Sequence, residues 1–128
     1  MITILLRIAV VVLALGMLLP GVVGVFRPER LAEALALEPQ GAVGWVAIRV
    51  LVGAPYIAMG LVALYAAARR HWALLAPVAA IEGVMALVRI GSGLTEGFEA
   101  ASVGAIIVEL VACLVLSLAA ILPARSGR

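Results

Sequence analysis

The chain has no lysine and no aspartate, one cysteine and one histidine, and only 12 % of its 128 residues are charged. Each shortage excludes something. With Cys113 alone there is no intrachain disulfide and no cysteine-based metal site. A formal charge of +2, from nine scattered arginines set against seven glutamates, is too small and too dispersed for nucleic-acid binding. No Walker loop, dinucleotide fingerprint, HExxH, GxSxG or CxxC occurs, so no enzyme activity, cofactor or metal is expected. The shortage of charge says the most. A soluble domain is about half apolar and about a quarter charged, whereas 66 % of this chain is hydrophobic. So few charges cannot coat a globule in water, and the solvent they imply is lipid.

The apolar residues suffice for four spans of about 20 residues each, leaving no separate soluble domain. The fold class expected is therefore an all-α membrane protein, a four-transmembrane-helix bundle forming a single domain over residues 1–128. Span one covers about Ile2 to Phe26. Its apolar run from Ile8 to Val25 outlasts a typical signal-peptide core of about 7–15 residues, and no A-x-A-like cleavage site follows, so it reads as a membrane helix. Arg7 can snorkel to the headgroups, and Pro20 predicts a bend by removing the bond to the Gly16 carbonyl. The segment from Pro28 to Pro39 is too polar to cross. It reads as a short interfacial amphipathic helix with Leu31, Ala34 and Leu35 on one face, or else as an ordered loop. Span two covers about 42–68, with Trp45 and Tyr65 near its ends. The turn Arg69-Arg70-His71-Trp72 leads into span three, about 73–94, with Pro77 near its first turn. Span four covers about 100–122, and Pro123 is expected to end it.

Four spans put both termini on one side. That side carries Arg69, Arg70, Arg125 and Arg128, with Arg7 close by, while the other carries Arg27, Arg30 and the glutamates 29, 33, 38, 96 and 99. The positive-inside rule then places both termini in the cytoplasm.

Four ionisable residues fall inside the spans: Arg49, Glu82, Arg89 and Glu109. A charge at the bilayer centre costs about 2.5–3.5 kcal/mol on insertion scales, so these four call for compensation, and their signs balance. At about 1.5 Å of rise per residue, Arg49 and Arg89 lie about 10 Å below the outer face, with Glu109 slightly deeper and Glu82 nearer the middle. Small and polar residues fall beside them. Arg49, Gly53, Tyr56 and Gly60 share a stripe on span two, and the two glycines permit close helix approach. Pro55 frees the Leu51 carbonyl within that region. Glu82, Met85, Arg89 and Ser92 fall near one face of span three, and Ser102, Ala105, Glu109, Ala112 and Cys113 near one face of span four. The interior expected is polar in its outer half. Two readings follow: a site for a small molecule, lipid headgroup or proton, with Tyr56 and Ser92 contributing, or an ion-pair network that only fixes helix register. His71 reads as a solvated surface residue, Cys113 as a small packing residue, and Met17, Met59 and Met85 as packing.

Ile48-Arg49 followed by Gly53 and Gly60, then Val88-Arg89 with Gly93 and Gly97, then Glu109, with Pro20 in span one and Glu96 just before Gly97, resembles a family of small bacterial four-helix membrane proteins known as a domain of unknown function. That family is similar in architecture to the DoxX-like membrane proteins. The resemblance marks Arg49, Arg89 and Glu109 as the family's polar positions. It implies no particular substrate or reaction, and Glu82 stands outside the pattern.

The leading expectation is a binding or accessory protein whose polar pocket opens toward the outer leaflet. It would receive a lipid headgroup or a small anionic or zwitterionic molecule at Arg49 and Arg89, with Glu109 balancing them when the site is empty. Its partners are the bilayer, such a ligand, and a second copy or another membrane protein. The rival is a small proton-coupled transporter using Glu82 or Glu109, although span one lacks the acid that small multidrug-resistance transporters carry there. An enzyme using the buried carboxylates as acid and base ranks last.

Overall fold

In hydrocarbon a chain must satisfy its own backbone hydrogen bonds, and helices do so within one segment. The computed structural model describes the backbone of residues 2–125 and the side chains of residues 3–122. The arginines invoked for the C-terminal end of the topology, the Arg125 side chain and Arg128, lie outside the described residues. The elements are α1 (Ile2–Phe26), α2 (Pro28–Ala34), α3 (Gly41–Ala47), a π-helical stretch (Ile48–Gly53), α4 (Ala54–Arg69), a 3₁₀ turn (Trp72–Leu74), α5 (Leu75–Glu96) and α6 (Ala100–Arg125). Among the described residues four stretches are long and apolar enough to cross a membrane: Thr3–Phe26, Gly41–Arg69, Trp72–Glu96 and Ala100–Leu122. The fold is thus all-α with four membrane-spanning helices.

The chain divides into two compact units. One is Val11–Leu64; the other joins the N-terminal turns of α1 to everything from Tyr65 onward.

In the Val11–Leu64 unit, glycines set how closely the helices meet. A Cβ on Gly21 would stand 2.7 Å from the Ile57 backbone nitrogen, and one on Gly60 would stand 2.6 Å from Leu18 Cγ and 2.9 Å from the Ala14 carbonyl. The α1–α4 crossing is a backbone-on-backbone approach that only hydrogen side chains permit. The expectation for Gly53 and Gly60 holds: Gly53 lies against Gly24 and Gly21 of α1, and Gly60 against Ala14 and Leu18. The helix runs on unbroken through Pro20.

Span two departs from a continuous α-helix. Pro55 has no N–H to give Leu51, and its ring crowds that carbonyl. Upstream of it the helix widens to π geometry over Ile48–Gly53, with the Ala54 N–H donating to the Arg49 carbonyl five residues back.

The segment after α1 is helical, as the amphipathic reading expects. Leu31 and Ala32 are buried, with Pro28, whereas Ala34 and Leu35 are exposed. Leu31, Ala32 and Ile48 form a small core that Val23, Trp45 and Val52 pack against. The helix ends at Ala34, and the chain reverses at Ala36, in the left-handed region at φ 52°, with Leu37 N–H donating to Ala32 and Ala36 N–H to Glu33. That early reversal cuts the helix short, so the Ala34–Leu35 face has no next turn to continue it. Trp45 is therefore held against α2.

In the other unit, α5 and α6 are antiparallel neighbours joined by Gly97-Phe98-Glu99. Pro77 lies in the first turn of α5, where a missing N–H costs nothing. The buried face of α5 comprises Leu75, Val78, Ala79, Glu82, Ala86 and Gly93. Gly83 admits Cys113, whose Sγ would stand 3.1 Å from a Cβ there. The α5 helix stops at Gly97 (φ 101°), which donates its N–H to the Gly93 carbonyl, and the Phe98 ring lies over Gly93, where a Cβ would meet it at 2.2 Å. Contrary to expectation, α6 does not stop at Pro123 but continues to Arg125. Proline lacks a donor yet keeps a helical φ, so a helix's last turn can contain it. At the opposite end the exposed His71 ring meets Tyr65 edge to face, 6.0 Å between centroids.

Candidate functional site

Arg89 and Glu109 meet between α5 and α6. Arg89 Nε donates to both carboxylate oxygens, at 3.1 and 3.3 Å, and Nη2 donates to Oε1 at 3.0 Å. The Glu109 side chain is 5 % exposed and that of Arg89 34 %. Several charge-assisted bonds converge on one buried carboxylate, the strong form of this interaction. The Gly83–Cys113 contact sets the register of the two helices. Counted from it at about 1.5 Å per residue, the Arg89 Cα lies about 3 Å closer to the connecting loop than Glu109. The two side chains, each tilted toward the N-terminus of its own helix, lean toward each other across that offset.

Glu82 lies two turns below Arg89 on α5 and is 3 % exposed. Among the described residues its buried Oε1 has no hydrogen-bond partner, and the Glu109 carboxylate acts on it electrostatically. An orphaned carboxylate oxygen in an apolar interior is costly, which sets Glu82 apart from the satisfied pair above it.

Beside Arg89 the surface between α5 and α6 opens into a cleft of about 440 Å³, with Val84, Met85 and Val88 on one wall and Ser92 and Ser102 toward the loop. A second cleft of about 450 Å³ continues toward the loop, bounded by the same two serines and by Glu96, Phe98 and Glu99. Ser92 is exposed and looks into these clefts rather than into the interior beside Glu82. It sits about a quarter-turn, one residue step, away from the buried stripe of α5 that Gly93 joins. Ser102, not singled out by charge, is the residue that joins the two clefts from α6.

Arg49 and Tyr56 belong to the other unit. Arg49 stands in the π-helical stretch, is exposed, and donates from Nε to the Val25 carbonyl at 3.2 Å. That carbonyl is in the last turn of α1, where no helical N–H follows, and a cation there also favours the helix dipole. Tyr56 is half-buried on α4. Among the described residues no group of three or more histidine, cysteine or acidic side chains converges as a metal site would require.

Four membrane-spanning helices, with one ion pair and one further buried acid in an otherwise apolar interior, define the class: a small multi-pass membrane protein. The particular family is also clear. The model of the family described as Domain of unknown function (DUF4345) matches residues 5–120, and the chain belongs to that family. No curated protein and no solved structure matches it.

Proposed function

We propose that this is a non-enzymatic binding or accessory protein of a bacterial cytoplasmic membrane, and that the α5–α6 cleft holds the polar headgroup of a membrane lipid. One observation carries the reading: an arginine fixed by a buried acid, yet one-third exposed, lies in an open cleft between two serines and an apolar wall. A purely internal ion pair needs neither the opening nor the hydroxyls. Fixing Arg89 through Glu109 orients it before a ligand arrives, which lowers the ordering cost of binding. Support for a DoxX-like architecture comes only from the four spans and the placement of these polar residues.

The topology proposed puts the Arg69–His71 turn and both termini in the cytoplasm, and the Glu96–Glu99 loop outside. Labelling of cysteines introduced at Arg70 and at Glu99, in a Cys113→Ala background, tests it in intact cells: an impermeant maleimide should reach only the second.

Native mass spectrometry of the detergent-purified protein tests the binding. The wild type should keep about one phospholipid per chain, and Ser92→Leu, which fills the cleft without touching the ion pair, should lose it. Equal retention by both would mean the charges serve packing alone.

A second reading has its own observation. The unpartnered Oε1 of Glu82 is the chemistry a proton-coupled transporter uses. In reconstituted vesicles under a pH gradient it requires flux that Glu82→Gln abolishes.

A further inference from the structure

The two clefts form one channel of graded polarity along the α5–α6 seam, and the grading specifies a ligand. On α5, Arg89, Ser92 and Glu96 follow one another three and four residues apart, so they rise along one face over about 10 Å. On α6, which runs the other way, Glu99 precedes the helix and Ser102 comes one turn in. From the inside outward the order is therefore a cation, then two hydroxyls, then two carboxylates. Ser92 and Ser102 line both clefts, so the inner and outer parts are continuous. Below the serines the wall is Val84, Met85 and Val88, of which Val84 and Val88 are 58 % and 64 % exposed.

An anion suits the inner level, where hydroxyls and a guanidinium supply donors. A cation suits the outer level, where Glu96 and Glu99 supply only acceptors. The step from Ser92 to Glu96 is one helical turn, about 6 Å, so the two charges must sit on one compact headgroup. A purely anionic headgroup would have to pass or sit beneath two carboxylates, which repel it. A quaternary ammonium prefers an aromatic cage, and the one ring in this channel, Phe98, already packs on Gly93.

Resting on the headgroup reading above, we infer that the ligand is a zwitterionic phospholipid bearing a primary ammonium. Its phosphate sits at Ser92, Ser102 and Arg89, its ammonium at Glu96 and Glu99, and an acyl chain lies along Val84, Met85 and Val88. The carboxylates act as a selectivity filter rather than as an anchor, since they are exposed and their ion pairs with the ammonium are individually weak.

The test is native mass spectrometry of the purified full chain in detergent. It is titrated with phosphatidylethanolamine, phosphatidylcholine and phosphatidylglycerol of matched acyl chains. Phosphatidylethanolamine should be retained about tenfold better than phosphatidylglycerol, the sum of two modest charge pairs, and better than phosphatidylcholine. Glu96→Gln with Glu99→Gln, both at the exposed loop end, should keep the helical circular dichroism of the wild type and lose that preference. Retention of phosphatidylglycerol or phosphatidylcholine as strongly as phosphatidylethanolamine, or a preference unmoved in the double variant, overturns the inference and leaves lipid binding standing. Retention of no lipid at all overturns both. Soluble glycerophosphoethanolamine should not displace the lipid at equal concentration; if it does, the chain contact on Val84 and Val88 is wrong and the inference falls.

Discussion

Arg89 holds Glu109 through two of its nitrogens, and the two partners differ sharply in burial: the acid is almost wholly enclosed while the arginine keeps a third of its side chain exposed. The pair is therefore not symmetrical in what each partner does when left alone.

Breaking a buried pair by removing one member costs about 3–5 kcal/mol, because the other is left uncompensated. Here Arg89→Leu strands Glu109 in an apolar interior beside Glu82, and should fall at the upper end of that range. Glu109→Leu leaves an arginine that can swing toward the headgroups, and should cost less than half as much. The double variant should recover most of the loss. Equilibrium unfolding in mixed micelles checks the order; equal costs for the two single variants would show that Arg89 has no outward escape.

Glu82 should behave in the opposite way. Its buried Oε1 has no partner and Glu109 repels it, so the carboxyl is a liability to the fold. Replacing a buried polar group by an apolar one of similar size is often neutral or stabilising. Glu82→Leu should raise stability by about 1–2 kcal/mol, seen as a higher unfolding midpoint in detergent. A group kept at a cost to the fold is commonly kept for function, so the same variant should impair whatever activity the protein has in the cell. A lower midpoint would mean that Glu82 has a structural partner in the folded state.

The glycines separate into those that are packed and those that are not. Gly21→Ala drives a methyl against the Ile57 backbone nitrogen, and Gly60→Ala drives one against the Ala14 carbonyl and Leu18. Backbone cannot yield as a side-chain tip can, so each should cost at least about 2 kcal/mol as the helices are forced apart. Gly16 and Gly104 have nothing within 4 Å. Alanine there should be neutral or should stabilise by up to about 1 kcal/mol, the helix-propensity gain. Thermal unfolding of the four variants side by side checks the contrast, and a loss at Gly16 equal to that at Gly21 would contradict the packing.

Much of this was legible in the sequence for plain physical reasons. Apolar runs of this length admit few structures in lipid, so the four spans could be placed to within a few residues. A charge inside such a run stands out at once, and matching depths put Arg49, Arg89 and Glu109 within reach of one another; of these, Arg89 and Glu109 meet. What stayed hidden depends on partners far along the chain or on short elements. Arg49 bonds a backbone carbonyl, that of Val25, and a carbonyl leaves no mark in a sequence. Which α2 residues pack on the neighbouring helices, Leu31 and Ala32, depends on tertiary contacts that seven residues of pattern do not encode. Pro55 announced a broken hydrogen bond, but whether the helix bends or widens depends on what packs against it. Ser92 lies three residues from Arg89, a spacing that groups the two, yet it stands about a quarter-turn from the buried stripe and faces the cleft.

Arg49 gives the last prediction, because its bond to Val25 competes with its expected role as an anion contact. The Val25 carbonyl is among those at the end of α1 that no helical N–H can reach, and the Arg49 Nε supplies a donor at 3.2 Å while placing a cation at the negative end of the helix dipole. If that is its main task, Arg49→Leu should cost about 1 kcal/mol of stability, modest because the residue is exposed. Arg49→Lys should recover part of it, since an ammonium satisfies the dipole but lacks the planar geometry of the guanidinium. Lipid retention in the α5–α6 cleft should not change in either variant. Unfolding midpoints and native mass spectra of the same two proteins decide the matter: unchanged stability with lost lipid would move Arg49 from the helix terminus to the ligand.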